Sequence, residues 1–179
     1  DELVRLVMMA HIPLPRQPRQ AGYARHVTDA RPLRSDASAN RARIVDAAER
    51  VAWESGLDVS LHTVAERSGI GIGTLYRHFP DRHALHRGIF DRVMADLDDA
   101  MDRASTIDDA YERVLGFIGA GIEVNERHPI VNELWVRLVR DEPSFAAPNR
   151  WELPVVEAVE AAKLSGRLRP ETAPTDIAL

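Results

Sequence analysis

The stretch SLHTVAERSGIGIGTLYRHFPDR, residues 60–82, decides the fold of this chain. Ser60 is a residue type that favours the position just before a helix, and Gly69 tolerates the positive φ of a sharp helix exit. The stretch therefore predicts two short helices, 61–68 and 72–79, joined by a tight glycine-containing turn. This arrangement is a helix-turn-helix, whose second helix enters the DNA major groove while the first crosses the backbone.

Four apolar residues of this block have the spacing to bury together and fix the angle between the two helices: Val64, Ile70, Leu75 and Phe79. Ala65 is predicted to face the second helix, where a small side chain permits close approach. These five residues are expected in the core and not at a binding surface.

Helical spacing continues after this block, and the sequence shows no strand-like alternation. Further helices are predicted at 41–55, 82–104, 108–128, 130–139 and 151–164. Residues 1–39 contain four prolines and scattered arginines without sustained periodicity, which predicts a flexible basic arm or linker. The predicted fold class is all-α.

The 179 residues carry a net charge of −5, but the charge is unevenly distributed. Residues 1–39 carry +2, residues 40–82 have six arginines and six acids, and residues 83–179 carry −7. The acidic excess thus lies outside the predicted helix-turn-helix, so the total charge does not exclude a nucleic-acid partner.

Several classes of protein are excluded or disfavoured. The chain has no cysteine, which excludes disulfide scaffolds, thiolate metal sites and cysteine nucleophiles. No apolar run approaches the ~20 residues of a membrane span. Asp1 and Glu2 stand where a secretory signal is basic, so a cytoplasmic protein is expected. The chain starts without Met and stops inside a helical pattern, which predicts a fragment truncated at its C-terminus.

Four motifs resemble the amino-terminal DNA-binding domain of TetR-family transcriptional regulators: RIVDAA at 43–48, Gly56, VAERSG at 64–69 and GTLYRHFPDRHAL at 73–85. The resemblance covers about residues 41–90. It implies a three-helix DNA-binding domain at 40–84, after the arm at 1–39. A helical effector-binding and dimerisation domain is implied at 85–179.

The resemblance implies that Tyr76, His78 and Arg82 contact DNA phosphates and that Ser60 approaches one. Such contacts position a protein without reading sequence. Base reading is implied for five residues: His62, Ile72, Gly73, Thr74 and Arg77. The sequence departs from the family's commoner pattern at Gly71 and Ile72, where many members have Ser followed by Lys or Arg. Because Ile72 can contact only a thymine methyl, thymine-containing half-sites are expected to be preferred over guanine there.

Members of this family enclose a ligand among the helices that follow the DNA-binding domain. Six residues are therefore candidate pocket residues, with ordinary core packing as the alternative: Phe90, Met94, Phe117, Trp135, Trp151 and Val155. The resemblance implies a homodimeric repressor on a pseudo-palindromic double-stranded DNA operator, released by a small-molecule effector. No cofactor, metal, membrane or enzymatic activity is expected.

Several features of the sequence also fit other interpretations. A phosphate loop at 69–73 is disfavoured because no strand precedes it and Thr74 replaces the third glycine. A metal site among His62, His78, His83 and His86 lacks completing ligands. Two further alternatives stay open: Tyr76 is a core aromatic, and Arg77 is an ordinary solvated residue. So do an effector-independent or architectural DNA-binding protein and a regulator that responds to a protein partner. The acidic residues at 96–102 form either a solvated face or a docking patch for a cationic ligand.

Overall fold

A computed structural model describes residues 33–145 and 150–176, and all the regular secondary structure in these ranges is helical. The seven α-helices in the described ranges are α1 (Leu33–Ser55), α2 (Leu61–Ser68), α3 (Ile72–His78), α4 (Arg82–Ser105), α5 (Ala110–Arg127), α6 (Val131–Asp141) and α7 (Glu152–Leu164), followed by a 3₁₀ turn at Pro174–Asp176. The predicted all-α class is confirmed. Within these ranges, no helix is both long and apolar enough to cross a membrane.

Helix α1 begins at Leu33, whereas the sequence prediction began it at Arg41 and extended the basic arm to residue 39. The boundary of the arm is therefore wrong for residues 33–39. The residues at 36–39 are exposed and carry no apolar stripe, so hydrophobic periodicity gives no signal for this part of the helix. The rest of the predicted arm, residues 1–32, lies outside the described residues.

The contacts divide the chain into two units. The first, called here the HTH unit, has residues 33–90 and 132–143 as its described parts. Its core contains fully buried side chains from four successive helices: Ile44, Val64, Leu75 and Leu85. Phe79 is also buried, and a Cβ atom at Gly88 would lie 2.5 Å from its Cε1 atom, so glycine permits this approach of ring and helix. The predicted core of the helix-turn-helix is confirmed.

Helix α6 lies in the HTH unit, although the sequence-based domain division assigns everything after residue 84 to a separate domain. Leu134 and Leu138 of α6 are fully buried. Trp135 stacks on Phe90 of α4, with ring centroids 5.7 Å apart. The apolar face of α6 thus packs within the HTH unit, which local sequence patterns do not reveal.

The described parts of the second unit are residues 91–131, 144–145 and 150–176. Its core joins the end of α4 with α5 and α7, through Met101, Phe117, Val124 and Val159 among others.

The charge of the chain is divided in the same way between the two units. The described part of the HTH unit has ten arginines and ten acids, while that of the second unit has eight basic residues against fifteen acids.

Candidate nucleic-acid interface

Helix α2 has the caps that the sequence predicts. Ser60 has extended backbone, and its Oγ accepts a hydrogen bond from the Thr63 amide at 3.1 Å. Gly69 has a φ of 65°, and the following amide of Ile70 donates to the Ala65 carbonyl at 3.2 Å. The left-handed glycine turns the chain sharply from α2 towards α3, as a helix-turn-helix requires.

Helix α1 supports this turn. The guanidinium of Arg43 donates to the Ser68 carbonyl at 2.8 Å, and the Ser68 hydroxyl donates to the Ala65 carbonyl at 3.0 Å. The bond from Arg43 satisfies the Ser68 carbonyl, a group that the end of a helix would otherwise leave without a partner. The turn is thus held by α1 as well as by its own backbone.

Helix α3 begins at Ile72 after Gly71, which makes no side-chain cap, and the amides of Thr74 and Leu75 donate to the Gly71 carbonyl at 2.8 and 3.0 Å. Leu75 is buried, whereas Gly73 is exposed and a Cβ atom there would meet nothing within 4 Å. Only one side of this short helix is therefore anchored in the core, and the other side is open.

The predicted DNA-contacting residues are accessible on this open side and on α2. Tyr76 is 44% exposed, which argues against its being a core aromatic. Arg77 is exposed and donates to the Thr74 Oγ1 atom at 2.7 Å, so its side chain is oriented and not merely solvated. Ser60, His62 and Arg82 are also exposed, while Ile72 and His78 are half-buried.

Arg82 has a partner that the sequence analysis missed. Its Nη1 atom lies 3.2 Å from Oδ1 of Asp58, and Arg137 of α6 donates to both oxygens of the same carboxylate at 2.8 and 3.1 Å. The hydrogen bond and charge of Arg137, with a smaller contribution from Arg82, lower the pKa of Asp58. Because Asp58 and Arg137 are 79 residues apart, no local motif connects them.

The four histidines between residues 62 and 86 do not gather into a metal site. No group of three or more histidines, cysteines or acids in the described ranges can hold an ion. His86 is buried, with Nε2 3.0 Å from the Leu57 carbonyl oxygen, and burial lowers its pKa. His83 lies 3.4 Å from Glu142 through Nε2. His86 therefore links α4 to the α1–α2 connection within the fold.

The six candidate pocket residues divide between the two units. Phe90 and Trp135 stack in the HTH unit. Phe117 and Trp151 have ring centroids 6.3 Å apart in the second unit, and Met94 and Val155 belong to the same core cluster. Four of the six candidates are thus brought together, and the other two form a separate pair.

Part of the acidic run on α4 organises the segment before α7. Asp98 accepts from Arg150 Nε at 2.8 Å and from Trp151 Nε1 at 2.7 Å, and Asp102 accepts from Arg150 at 2.9 Å. The hydrogen bonds from these two carboxylates raise the pKa of Arg150. These carboxylates therefore have cationic partners within the chain itself.

Asp96, also on α4, pairs with the end of α5. It lies 2.9 Å from Nε2 of the buried His128 and 3.5 Å from Arg127. Burial of Asp96 opposes its ionisation, but the hydrogen bonds and charges of His128 and Arg127 together outweigh it and lower the pKa of Asp96. Three acids of the run are thus engaged in structural pairs.

Residues 44–88 match the family model described as bacterial regulatory proteins, tetR family. This segment of the chain is therefore similar to the TetR family. An HTH-type transcriptional regulator of Staphylococcus aureus is 39% identical over 80 residues, which are 44% of this chain and 42% of that protein. The chain thus matches less than half the length of that curated relative.

Two solved structures extend the similarity beyond the DNA-binding segment. A TetR transcription regulatory protein from Mycobacterium vanbaalenii aligns with a TM-score of 0.59 and 28% identity, over 82% of this chain and 89% of that one. A γ-butyrolactone receptor aligns with a TM-score of 0.62 and 16% identity, over 80% of this chain and 74% of that one. The second similarity concerns the fold alone.

Proposed function

We propose that this protein is a TetR-family regulator, a sequence-specific DNA-binding repressor of transcription that places α3 in the major groove. The observation that carries the proposal is the open face of α3. Leu75 anchors the helix in the core, while Gly73, Tyr76 and Arg77 face solvent. This helix lies inside the segment that matches the family model. The cytoplasm is the proposed place of action of such a regulator.

Four residues are proposed to contact phosphates. The Ser60 and Tyr76 hydroxyls and the His78 imidazole can each donate one hydrogen bond while neutral, and Arg82 adds a charge. These contacts fix the register of the protein on the duplex and supply affinity that depends on salt. Arg82 must exchange Asp58 for a phosphate oxygen to do so.

Base reading is proposed for Ile72, Gly73, Thr74 and Arg77 of α3, with His62 from α2. The guanidinium of Arg77 is the one group on α3 that can bind a guanine in a bidentate manner. Ile72 offers only methyl and methylene groups, so we propose thymine at the base it faces. A base-by-base substitution series in a bound duplex tests this, and a strong preference for guanine opposite Ile72 would contradict it.

Release from the operator is proposed to follow binding of a small molecule in the second unit. The cluster around Phe117 and Trp151, with Met94 and Val155, is the proposed apolar contact region, and Phe90 and Trp135 remain candidates from the other unit. The molecule must bind the released state more tightly than the DNA-bound state, and the coupling must be reciprocal.

A homodimer on a pseudo-palindromic operator is the proposed assembly. Each chain supplies one helix-turn-helix, and two successive half-sites lie about 34–36 Å apart along one face of the duplex. A complex with one chain per bound duplex at saturation would contradict this part of the proposal.

The alternative is a DNA-binding protein without an effector, or one that responds to a protein partner. These possibilities are distinguished by titrating a library of apolar small molecules into the protein and measuring the protection of the Phe117 and Trp151 amides from hydrogen exchange. Protection together with weaker DNA binding supports the effector. Release of DNA only on addition of cell protein supports a partner.

The experiment that tests DNA binding is selection of bound duplexes from a random pool with the wild type, Tyr76→Ala and Arg82→Ala. We expect one enriched palindromic motif, and weaker binding to all sequences with a flatter salt dependence in both variants. Arg169→Ala removes an exposed arginine in the second unit and is the matched control. Equal retention by all four proteins would contradict the assignment of the interface.

A further inference from the structure

The carboxylate of Asp58, in the connection between α1 and α2, is shared by two arginines. Arg137 of α6 contacts both oxygens, at 2.8 and 3.1 Å, whereas Arg82 contacts only Oδ1, at 3.2 Å. A bidentate guanidinium–carboxylate pair with shorter bonds is the stronger of the two. Asp58 is therefore held mainly by Arg137, and Arg82 is its weaker partner.

The exposure of the three side chains agrees with this order. Arg137 is 24% exposed, Arg82 is 44% exposed and Asp58 is 69% exposed. A single contact between exposed charges is weak and open to competition from other anions. A DNA phosphate is such an anion, and Arg82 is the residue proposed above to contact one.

We propose that Asp58 and Arg137 are positioning residues that set how readily Arg82 binds a DNA phosphate. This inference rests on the proposed function. While Arg137 neutralises Asp58, Arg82 exchanges the carboxylate for a phosphate at little cost. When Arg137 is absent, Asp58 retains Arg82 and also repels the phosphate. Because Arg137 lies on α6, this helix adjusts DNA affinity without contacting a base.

The test is a mutant cycle in which the dissociation constant is measured on one selected duplex and one unrelated duplex between 50 and 200 mM salt. Arg82→Ala is expected to lower the salt slope by about one on both duplexes. This corresponds to a salt response about threefold smaller over that range. Arg137→Gln is expected to weaken binding to both duplexes in the same direction, and Asp58→Asn to tighten it.

The decisive comparison is Arg137→Gln in the Asp58→Asn background. We expect it to have no effect there, since no carboxylate remains to retain Arg82. This rescue cannot arise from unfolding, which a second substitution in the same cluster would aggravate. Likewise, Asp58→Asn should lose most of its gain in the Arg82→Ala background. Arg140→Gln removes the same charge from an exposed position of α6 and is the matched control.

The possible failures are distinguishable. Absence of DNA binding by the wild type contradicts the proposed function itself. If the wild type binds and Arg82→Ala weakens binding, but Arg137→Gln is equally harmful with Asp58 or Asn at position 58, then the inference is overturned and the proposed function stands.

Discussion

Gly69 and Gly73 lie four residues apart, yet the structure requires glycine only at the first. Gly69 has a φ of 65°, and a Cβ atom there would lie 3.2 Å from the Arg43 guanidinium that caps α2. Gly73 has ordinary helical backbone and open space around it. The glycine at 69 therefore serves the fold, while no contact within the described residues requires glycine at 73.

Gly69→Ala is expected to lower the free energy of unfolding by about 1–2 kcal/mol, because an L-residue is strained in the left-handed region. Denaturant unfolding followed by circular dichroism measures this. The matched control is Gly71→Ala, whose φ of −58° suits any residue and where a Cβ atom meets open space. Equal losses in the two variants would show that the positive φ is not the cause.

Gly73→Ala is expected to raise the free energy of unfolding by about 0.5–1 kcal/mol, since alanine is the better helix former. The same methyl group is expected to weaken operator binding if α3 approaches the bases closely at this point. Thermal unfolding and a DNA-binding titration on the same sample separate the two effects. A variant that is more stable and binds DNA as tightly as the wild type would remove Gly73 from the proposed interface.

At the residue scale, the sequence predicted what depends on local chemistry. The cap at Ser60, the turn at Gly69 and the buried Leu75 follow from residue type and spacing. Asp58 and Arg137 could not be found in this way, because an exposed ion pair between distant positions leaves no periodic signal. The exposed start of α1 was missed because it also lacks a periodic apolar signal.

Helix α4 is tied to the α1–α2 connection by a buried histidine, which makes the HTH unit sensitive to pH. Burial, with smaller contributions from the charges of Arg137 and Arg82, lowers the pKa of His86 from its ordinary 6.5, although the hydrogen bond with the Leu57 carbonyl and the charge of Asp141 oppose this. The folded state therefore binds a proton less readily than the unfolded state. The contribution of neutral His86 to the free energy of unfolding is therefore complete above about pH 6.5 and is lost as the pH falls below that value.

His86→Gln is expected to reduce the loss of stability between pH 7.5 and 5.5, because the amide can donate to the Leu57 carbonyl without titrating. Denaturant unfolding at the two pH values gives the difference. His62→Gln, which removes an exposed histidine from α2, should leave that difference as in the wild type. The same pH dependence in all three proteins would show that His86 is not its source.

Asp98 of α4 accepts two hydrogen bonds from the residues just before α7. Asp98→Ala removes the acceptor of Arg150 Nε and of the Trp151 indole, while Arg150 keeps its bond to Asp102, so we expect a loss of about 1.5–3 kcal/mol in the free energy of unfolding, as for hydrogen bonds to charged groups. A change in tryptophan fluorescence should accompany it. The neighbouring exposed Asp99→Ala is the control, and an equal effect there would indicate a general charge effect on α4.

At the element scale, the positions of the helices along the chain were predictable from the sequence, but which helices pack together was not. Six of the helices lie close to their predicted ranges, because turn residues and apolar spacing mark them. The packing of α6 in the HTH unit depends on the Phe90–Trp135 stack and on two buried leucines, which join distant parts of the sequence. The sequence therefore could not assign α6 to a unit.

At the scale of the whole molecule, the distribution of charge matters more for DNA binding than the total of −5. The described HTH unit is neutral, and the described second unit carries the acidic excess. At physiological salt the Debye length is about 8 Å, so exposed acids far from the duplex are screened from its phosphates. Acids on the proposed DNA-contacting helices lie too close to the phosphates to be screened in this way.

Two charge reversals on exposed helix surfaces separate these effects. Glu66 lies one helical turn after His62 on α2, so it shares the face that is proposed to approach DNA. Glu66→Lys is expected to tighten binding to all sequences and to steepen the salt dependence. Glu157→Lys makes the same change in net charge on α7 and should leave affinity and salt slope unchanged. Equal tightening by both reversals in a titration at 150 mM salt would mean that net charge governs binding, whereas tightening by Glu66→Lys alone would locate the duplex at α2.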